Sequence, residues 1–133
     1  MKKILIAYDG GEPSYRALEM AADLATRYEA EVGVVSVVPS RPGRSPIEPW
    51  DDRSVHTAEL AEARALLAMR GIEPTLYEPV GEPASTIERL VNHGGYDVVV
   101  VGSRGLGSLS RFLEGSVSEH VATHAEATVI VAR

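Results

Sequence analysis

The chain of 133 residues contains no cysteine, and its lysines are confined to Lys2 and Lys3. The absence of cysteine excludes a disulfide framework and a thiolate metal site. Because no lysine follows any glycine, the chain also lacks the G-x-x-x-x-G-K-S/T loop with which Walker-type proteins bind phosphate. No apolar run approaches the length of a membrane span, so we expect no membrane partner.

The net charge of the chain is −6, and its acidic and basic residues are mixed along its length. This distribution lacks the basic patch that nucleic-acid binding requires, although a few local groups are enough to bind a nucleotide. The apolar start of the chain is interrupted at Asp9, too soon for a signal peptide, which predicts a cytoplasmic protein. The length fits a single domain that spans residues 1–133.

Apolar segments of strand length alternate with segments of helical periodicity. The predicted strands cover residues 3–8, 32–38, 74–80, 96–101 and 127–132. The predicted helices begin at Pro13, at about Val55, at Pro83 and at about Val117. Strands that lack polar alternation and are separated by helices form a parallel sheet that is covered on both faces. We therefore predict a doubly wound α/β domain with a five-stranded parallel sheet in the order 3-2-1-4-5.

Spacing and prolines add detail to this prediction. In the first helix, residues of the apolar stripe recur at Leu18, Ala21, Ala22 and Ala25. In the second helix, the residues in helical step are Ala58, Ala61, Ala65 and Ala68. Four prolines in residues 39–53 predict a loop, and the prolines in the third strand predict a position near the sheet edge.

Glycine-rich turns follow the first and fourth predicted strands, YDGGEPS at residues 8–14 and VGSRGLGS at residues 101–108. Ligands of open α/β sheets bind beyond the carboxyl ends of the strands, where the strand order reverses. In the predicted order, this reversal falls between the first and fourth strands. The two turns should therefore open on one crevice.

The second turn has the residues that phosphate binding requires. Its glycines at 102, 105 and 107 allow backbone N–H groups to approach anionic oxygens without a Cβ in the way. Arg104 and Arg111 could add charge-assisted hydrogen bonds to phosphate. Gly115 and Ser116 then precede a predicted helix whose first N–H groups and dipole favour an anion. The pattern predicts a phosphate cradle.

A structural interpretation remains open for some of these residues. Ser116 and Glu119 form an S-x-x-E capping box, which explains Ser116 by helix capping alone and is compatible with phosphate binding. Asp9 is placed to accept hydrogen bonds from ribose hydroxyls, but an aspartate before two glycines is also a common turn former.

The spacing of Gly102, Gly105, Gly115 and Ser116 resembles the G-2x-G-9x-G-S/T nucleotide-binding signature of the universal stress protein family. The resemblance extends over the whole chain, from KILIAYDGGEPSYRALEMAADLA through GEPASTI to ATVIVAR. It implies a flavodoxin-like domain of the adenine nucleotide alpha hydrolase type and the ATP-binding branch of the family. It also implies a homodimer that is joined through the last strand, residues 127–132.

The last strand supports a dimer independently of the resemblance. It would lie at an edge of the sheet, yet the segment ATVIVA contains no charge or proline that would protect an exposed edge. Pairing with a second copy of the chain would protect this edge. Residues 39–53 could protect it instead.

Carried over by position, the resemblance implies a set of ATP-binding residues. The adenosine side would be lined by Ala7, Asp9 and Val37, with Val37 at the end of the second strand. The ribose and phosphates would be surrounded by Gly102, Arg104, Gly105, Gly115, Ser116 and Val117. A bound triphosphate usually brings a divalent cation, Mg²⁺ or Mn²⁺. The chain departs from the family at Gly11, where many members carry serine, and at Ser36, which replaces a frequent histidine.

These residues leave several functions open. The first is an ATP-binding regulatory module in the stress response. The second is a slow ATPase or a self-phosphorylating protein whose acceptor is Ser103, Ser108 or Ser110. The third is a nucleotide alpha-hydrolase-type enzyme, to which the segment DGGEPS has a faint similarity. Since no general base or paired carboxylates accompany the glycines, we assign no catalytic residue and expect at most weak ATP hydrolysis or autophosphorylation.

The histidines and the charged side chains of the second helix receive structural roles. His120 and His124 are four residues apart on the last helix, but no third ligand is evident, so we assign no metal site. His56 stands alone in the sequence. Glu59, Glu62 and Arg64 are predicted to form the solvated face of the second helix.

Overall fold

The computed structural model of the protein describes residues 1–39, 53–102 and 127–132. Its strands are β1 (Lys3–Ala7), β2 (Glu31–Val35), β3 (Val38–Pro39), β4 (Thr75–Tyr77), β5 (Val80–Gly81), β6 (Val98–Gly102) and β7 (Thr128–Ala132). Its helices are α1 (Glu12–Tyr28), α2 (Arg53–Ala68) and α3 (Pro83–Gly94). The predicted helix from about Val117 and most of the loop predicted over residues 39–53 lie outside the described residues.

Five strands form one parallel sheet in the order β4-β2-β1-β6-β7. They are the five predicted strands in the predicted order 3-2-1-4-5, so the doubly wound α/β fold is confirmed. Ala7, the last residue of β1, lies opposite Val35 of β2 and Val101 of β6. The carboxyl ends of these neighbouring strands therefore lie side by side, and the strand order reverses between β1 and β6.

Two of the predicted strands are interrupted. The strand predicted over residues 32–38 ends as β2 at Val35, and the strand predicted over 74–80 is divided into β4 and β5. β3 and β5 pair in parallel as a second, two-stranded sheet. Pro79 lies in the break and has no N–H to donate, while its carbonyl accepts from Val38 N–H at 2.8 Å. As predicted, β4 lies at an edge of the main sheet.

The central strands β1, β2 and β6 are buried on both faces, as the lack of polar alternation predicts. Ile4 and Ile6 of β1 pack on the side of α1 and α2, whereas Leu5 packs with α3 on the other side. This division follows from the two-residue period of a strand, which directs successive side chains to opposite faces. The sheet is therefore the centre of a three-layer arrangement.

The spacing of apolar residues predicted the buried side of α1 correctly but did not predict the buried side of α2. The predicted stripe of α1 is buried along Leu18, Ala21, Ala22 and Ala25. The in-step alanines of α2 are exposed, and its buried residues are Leu60, Ala63 and Leu67. The leucines bury more apolar surface than alanines do, and they therefore decide which side of α2 faces the sheet. None of the helices within the described ranges has the length and apolar character needed to cross a membrane.

Candidate functional site

The turn between β1 and α1 is closed by its own polar groups. The Asp9 Oδ1 atom accepts a hydrogen bond from Gly11 N–H at 2.9 Å, and Asp9 N–H donates to Ser14 Oγ at 2.8 Å. Gly10 has a φ of 79°, a backbone conformation that favours glycine. Asp9 thus forms the turn, as the structural interpretation predicted. Its side chain is also exposed, and its contact with ribose stays a prediction.

Gly102 ends β6 directly against the first turn of α1. A Cβ atom built on Gly102 would lie 2.6 Å from the carbonyl carbon of Pro13 and 2.6 Å from the backbone nitrogen of Ser14. Only a glycine permits so close an approach of strand and helix. The start of the second glycine-rich turn therefore lies beside the first turn, as the strand order required. The proposed contact of Gly102 with phosphate stays a prediction.

Ala7 and Val37 are the other two predicted site residues that the structure describes. Ala7 is buried at the end of β1. Val37 lies between β2 and β3 and not at the end of the second strand, because β2 already ends at Val35. Val37 is partly buried against the apolar cluster on the α3 side. The remaining predicted ATP-binding residues lie outside the described part of the chain: Arg104, Gly105, Gly115, Ser116 and Val117. The candidate acceptor serines and the pair His120 and His124 lie outside it as well.

The replacement of serine by Gly11 falls at the start of α1. Gly11 is the N-cap residue of this helix, and no side chain caps it. In α3, by contrast, the Glu82 carboxylate accepts from Ala84 N–H at 3.3 Å and from Ser85 N–H at 2.8 Å. A serine at position 11 would offer a capping hydroxyl that glycine lacks. The departure therefore removes a polar group from the mouth of the candidate crevice.

A polar cluster that the sequence analysis did not predict lies between β2 and α2. Ser36 Oγ donates to Glu59 Oε2 at 3.0 Å and lies 2.7 Å from His56 Nδ1. The His56 and Glu59 side chains are 12% and 18% exposed. His56 therefore does not stand alone, and the prediction that Glu59 lies on a solvated face is wrong. The Ser36 hydroxyl is buried and therefore needs hydrogen-bond partners, which His56 and Glu59 supply.

One signal for this cluster was present in the sequence. Val32, Val34 and Ser36 are two residues apart, so their side chains point to the same face of the sheet. A hydroxyl that continues a buried apolar row needs a polar partner, and that partner comes from α2. The sequence does not reveal which residues of α2 supply it, since this depends on how the helix packs on the sheet.

The end of β1 contributes a second link to α2. The Tyr8 hydroxyl donates to the Glu62 carboxylate, although Glu62 itself is exposed as predicted. Burial, followed by the hydrogen bond to Glu62, raises the pKa of Tyr8. Burial is also the main reason why the pKa of Glu59 is raised, and it outweighs the hydrogen bond from Ser36 and the interaction with His56, which lower this pKa. The charges of Asp9 and Glu62 add to the increase. The carboxylates of Asp9, Glu59 and Glu62 thus share one negative region.

Replacing Glu59 with glutamine is expected to increase the free energy of unfolding at neutral pH. Because the pKa of Glu59 is raised in the folded state, the wild-type protein loses stability as the pH rises from the ordinary glutamate pKa to the raised value. The glutamine side chain has no charge to bury, and its oxygen still accepts from Ser36. Urea unfolding between about pH 4 and pH 8 measures the difference.

The matched control for this substitution is Glu73→Gln. Glu73 pairs with Arg64 at 2.8 Å, and both side chains are more than half exposed. We expect this control to change stability little at any of these pH values, since exposed ion pairs contribute little. A Glu59→Gln variant that is less stable than the wild type at neutral pH would contradict the assignment of a burial cost to Glu59.

Comparison with known proteins identifies the chain. The model of the universal stress protein family matches residues 1–133. The chain belongs to this family. A universal stress protein relative from Staphylococcus aureus (strain USA300) is 33% identical over 142 aligned positions, covering 99% of this chain and 84% of the relative. The resemblance inferred from the glycine spacing is therefore confirmed.

Solved structures of universal stress proteins share the fold. The UspA protein from Lactobacillus plantarum has a TM-score of 0.70 at 27% identity, with 99% of this chain and 97% of that chain covered. A universal stress protein from Archaeoglobus fulgidus, in complex with dAMP, has a TM-score of 0.72 at 23% identity, with 100% of this chain and 98% of that chain covered.

Within the described ranges of this chain, no group of three or more His, Cys, Asp or Glu side chains is arranged to hold a metal ion.

Proposed function

We propose that the chain is an ATP-binding regulatory module of the stress response that acts as a homodimer in the cytoplasm. The observation that carries the proposal is the contact of Gly102 with the first turn of α1. This contact joins the turn that contains Asp9 to the point where the glycine run with the family's nucleotide-binding spacing begins. The described turn and the glycine run would then form the two sides of one nucleotide site.

The charges around the turn favour one orientation of the nucleotide. Asp9 and Glu62, whose charges both raise the pKa of the neighbouring Glu59, make this end of the sheet negative, so it repels phosphate and accepts hydrogen bonds from hydroxyl and amino groups. The nucleoside would therefore lie over Asp9 and Val37. The phosphates would lie toward the glycine run that follows Gly102, with its arginines and backbone N–H groups. The dAMP bound to the Archaeoglobus relative, an adenine nucleotide, supports an adenosine ligand.

The proposed dimer uses the edge strand β7. β7 pairs with β6 on one side and ends the five-stranded sheet on the other. Its exposed side chains are apolar or uncharged, and Val131 is 39% exposed. Among the residues that the structure describes, no strand pairs with the outer edge of β7, and an apolar edge of this kind is a surface that a second β7 would cover. Sedimentation of the purified chain should give the mass of a dimer.

The fate of ATP separates this proposal from the two enzymatic alternatives. We expect purified protein incubated with ATP and Mg²⁺ to retain intact ATP after it is repurified from the excess. ADP together with phosphoserine at Ser103, Ser108 or Ser110 would support the ATPase or self-phosphorylating alternative. AMP with pyrophosphate would support the hydrolase alternative. Protein that retains no nucleotide and has no measurable affinity for ATP would overturn the proposal.

A further inference from the structure

The Glu59 side chain lies beside the turn of the candidate site and is hydrogen-bonded to Ser36. A Cβ atom built on Gly10 would lie 3.5 Å from Glu59 Cγ and 3.9 Å from Glu59 Oε1, so the glutamate side chain lies on the side of Gly10 that a side chain would occupy. Glu59 belongs to α2, whereas Gly10 lies between Asp9 and the start of α1. The glutamate is thus a residue of α2 that faces the turn proposed to hold the nucleoside.

Glu59 is fixed on its other side by two polar partners. Its Oε2 atom accepts from Ser36 Oγ at 3.0 Å and lies 3.7 Å from His56 Nδ1. When His56 is neutral with its proton on Nδ1, it donates to the Ser36 hydroxyl, which donates in turn to Glu59. This chain of hydrogen bonds is largely buried and holds the glutamate in one position over the turn.

The turn itself needs such a support. Its residues after β1 include Gly10 at a φ of 79°, and the chain is held there by the hydrogen bonds of Asp9 to Gly11 and Ser14. Glycine has more backbone freedom to lose than any other residue, so an unsupported turn of this kind would sample other conformations. The glutamate side chain beside Gly10 limits the space that is available to these alternatives.

We propose that Glu59 is a positioning residue of the nucleotide site, held by Ser36 and His56, which keeps the β1–α1 turn in the conformation that receives the nucleoside. The inference rests on the proposed function for its ligand, but its structural part concerns the turn alone. Glu59 acts through Asp9 and Gly10 and does not itself contact the nucleotide. Its shape and its hydrogen-bond acceptor are what the turn requires, and its negative charge is dispensable.

Two variants of the full chain distinguish the effect of the shape of the Glu59 side chain from the effect of its charge. Glu59→Ala removes the side chain that lies beside Gly10, whereas Glu59→Gln keeps both its length and an oxygen that accepts from Ser36. The first readout is hydrogen exchange of the Asp9 and Gly11 amides, which donate to Ser14 and to the Asp9 carboxylate. We expect exchange of these amides to become about tenfold faster in Glu59→Ala and to remain at the wild-type rate in Glu59→Gln.

The second readout is the dissociation constant for ATP, measured by calorimetry. We expect an increase of about tenfold in Glu59→Ala and a change of less than about threefold in Glu59→Gln. Glu73→Ala is the matched control, because it removes an exposed carboxylate next to α2 that does not touch the turn. This control should leave both readouts unchanged.

The outcomes distinguish the inference from the function on which it rests. Wild-type amide exchange and wild-type ATP affinity in Glu59→Ala would overturn the inference and leave the proposed function intact. Equal loss of affinity in Glu59→Ala and Glu59→Gln would also overturn it, because the charge would then contact the ligand. If the wild-type chain binds no ATP, the proposed function fails, and the exchange rates alone decide whether Glu59 supports the turn.

Discussion

Replacing Gly102 with alanine is expected to lower the free energy of unfolding by about 3 kcal/mol, a large effect for one methyl group. The new Cβ would lie 2.6 Å from backbone atoms of Pro13 and Ser14 and 2.8 Å from the Pro13 carbonyl oxygen. A flexible side chain could move away, but these atoms belong to the first turn of α1. To relieve the overlap, the helix must shift away from β6, which disturbs the packing of α1 on the sheet.

Urea unfolding of the wild type and of Gly102→Ala measures this effect. The matched control is Gly71→Ala, since a Cβ on Gly71 would meet nothing within 4 Å while its φ of 75° is still unfavourable for alanine. We expect the control to cost about 1 kcal/mol, the usual cost of placing a Cβ-bearing residue in the left-handed conformation. If Gly102→Ala costs no more than Gly71→Ala, the close approach of β6 and α1 is not a determinant of the fold.

Valine at both Gly105 and Gly115 is expected to weaken ATP binding at least 100-fold, equivalent to about 2.7 kcal/mol. The proposed site binds phosphate through backbone N–H groups, and a branched side chain at either glycine would block the approach of the phosphate oxygens. The expectation rests on the family's glycine spacing, because both residues lie outside the described part of the chain.

Calorimetric titration with ATP measures the loss. Gly71→Ala again serves as the control, because Gly71 follows α2 and is remote from the carboxyl ends of β1 and β6. Circular dichroism and urea unfolding establish that the double variant is folded before its affinity is interpreted. Unchanged ATP affinity in a folded double variant would exclude the glycine run as the phosphate-binding element.

The sheet could be predicted from the sequence because the features that define its strands are local. Each of the five strands is an apolar segment without polar alternation, and the order of strands and helices restricts the topology to few alternatives. The strand order is therefore confirmed in the structure. One strand was predicted over residues 74–80, whereas the structure has two, Thr75–Tyr77 and Val80–Gly81. Apolar character alone does not show where an edge strand is interrupted.

The candidate site was predicted less completely because it depends on contacts between distant segments. Gly102 was predicted from its neighbours to approach a phosphate, whereas the structure adds a contact with Pro13 and Ser14 that no local pattern contains. Glu59 was predicted to be solvated, since charged residues on helices usually are. Its burial follows from the packing of α2 on Ser36, which is decided by tertiary structure.

Above all, we propose that the first turn and the glycine run form one binding site for ATP. The most direct test is a calorimetric titration of the unmodified chain with ATP, repeated with GTP, in the presence of Mg²⁺. We predict saturable binding of one ATP per chain and much weaker binding of GTP. No heat of binding with ATP, in protein whose fold is intact, would contradict the claim.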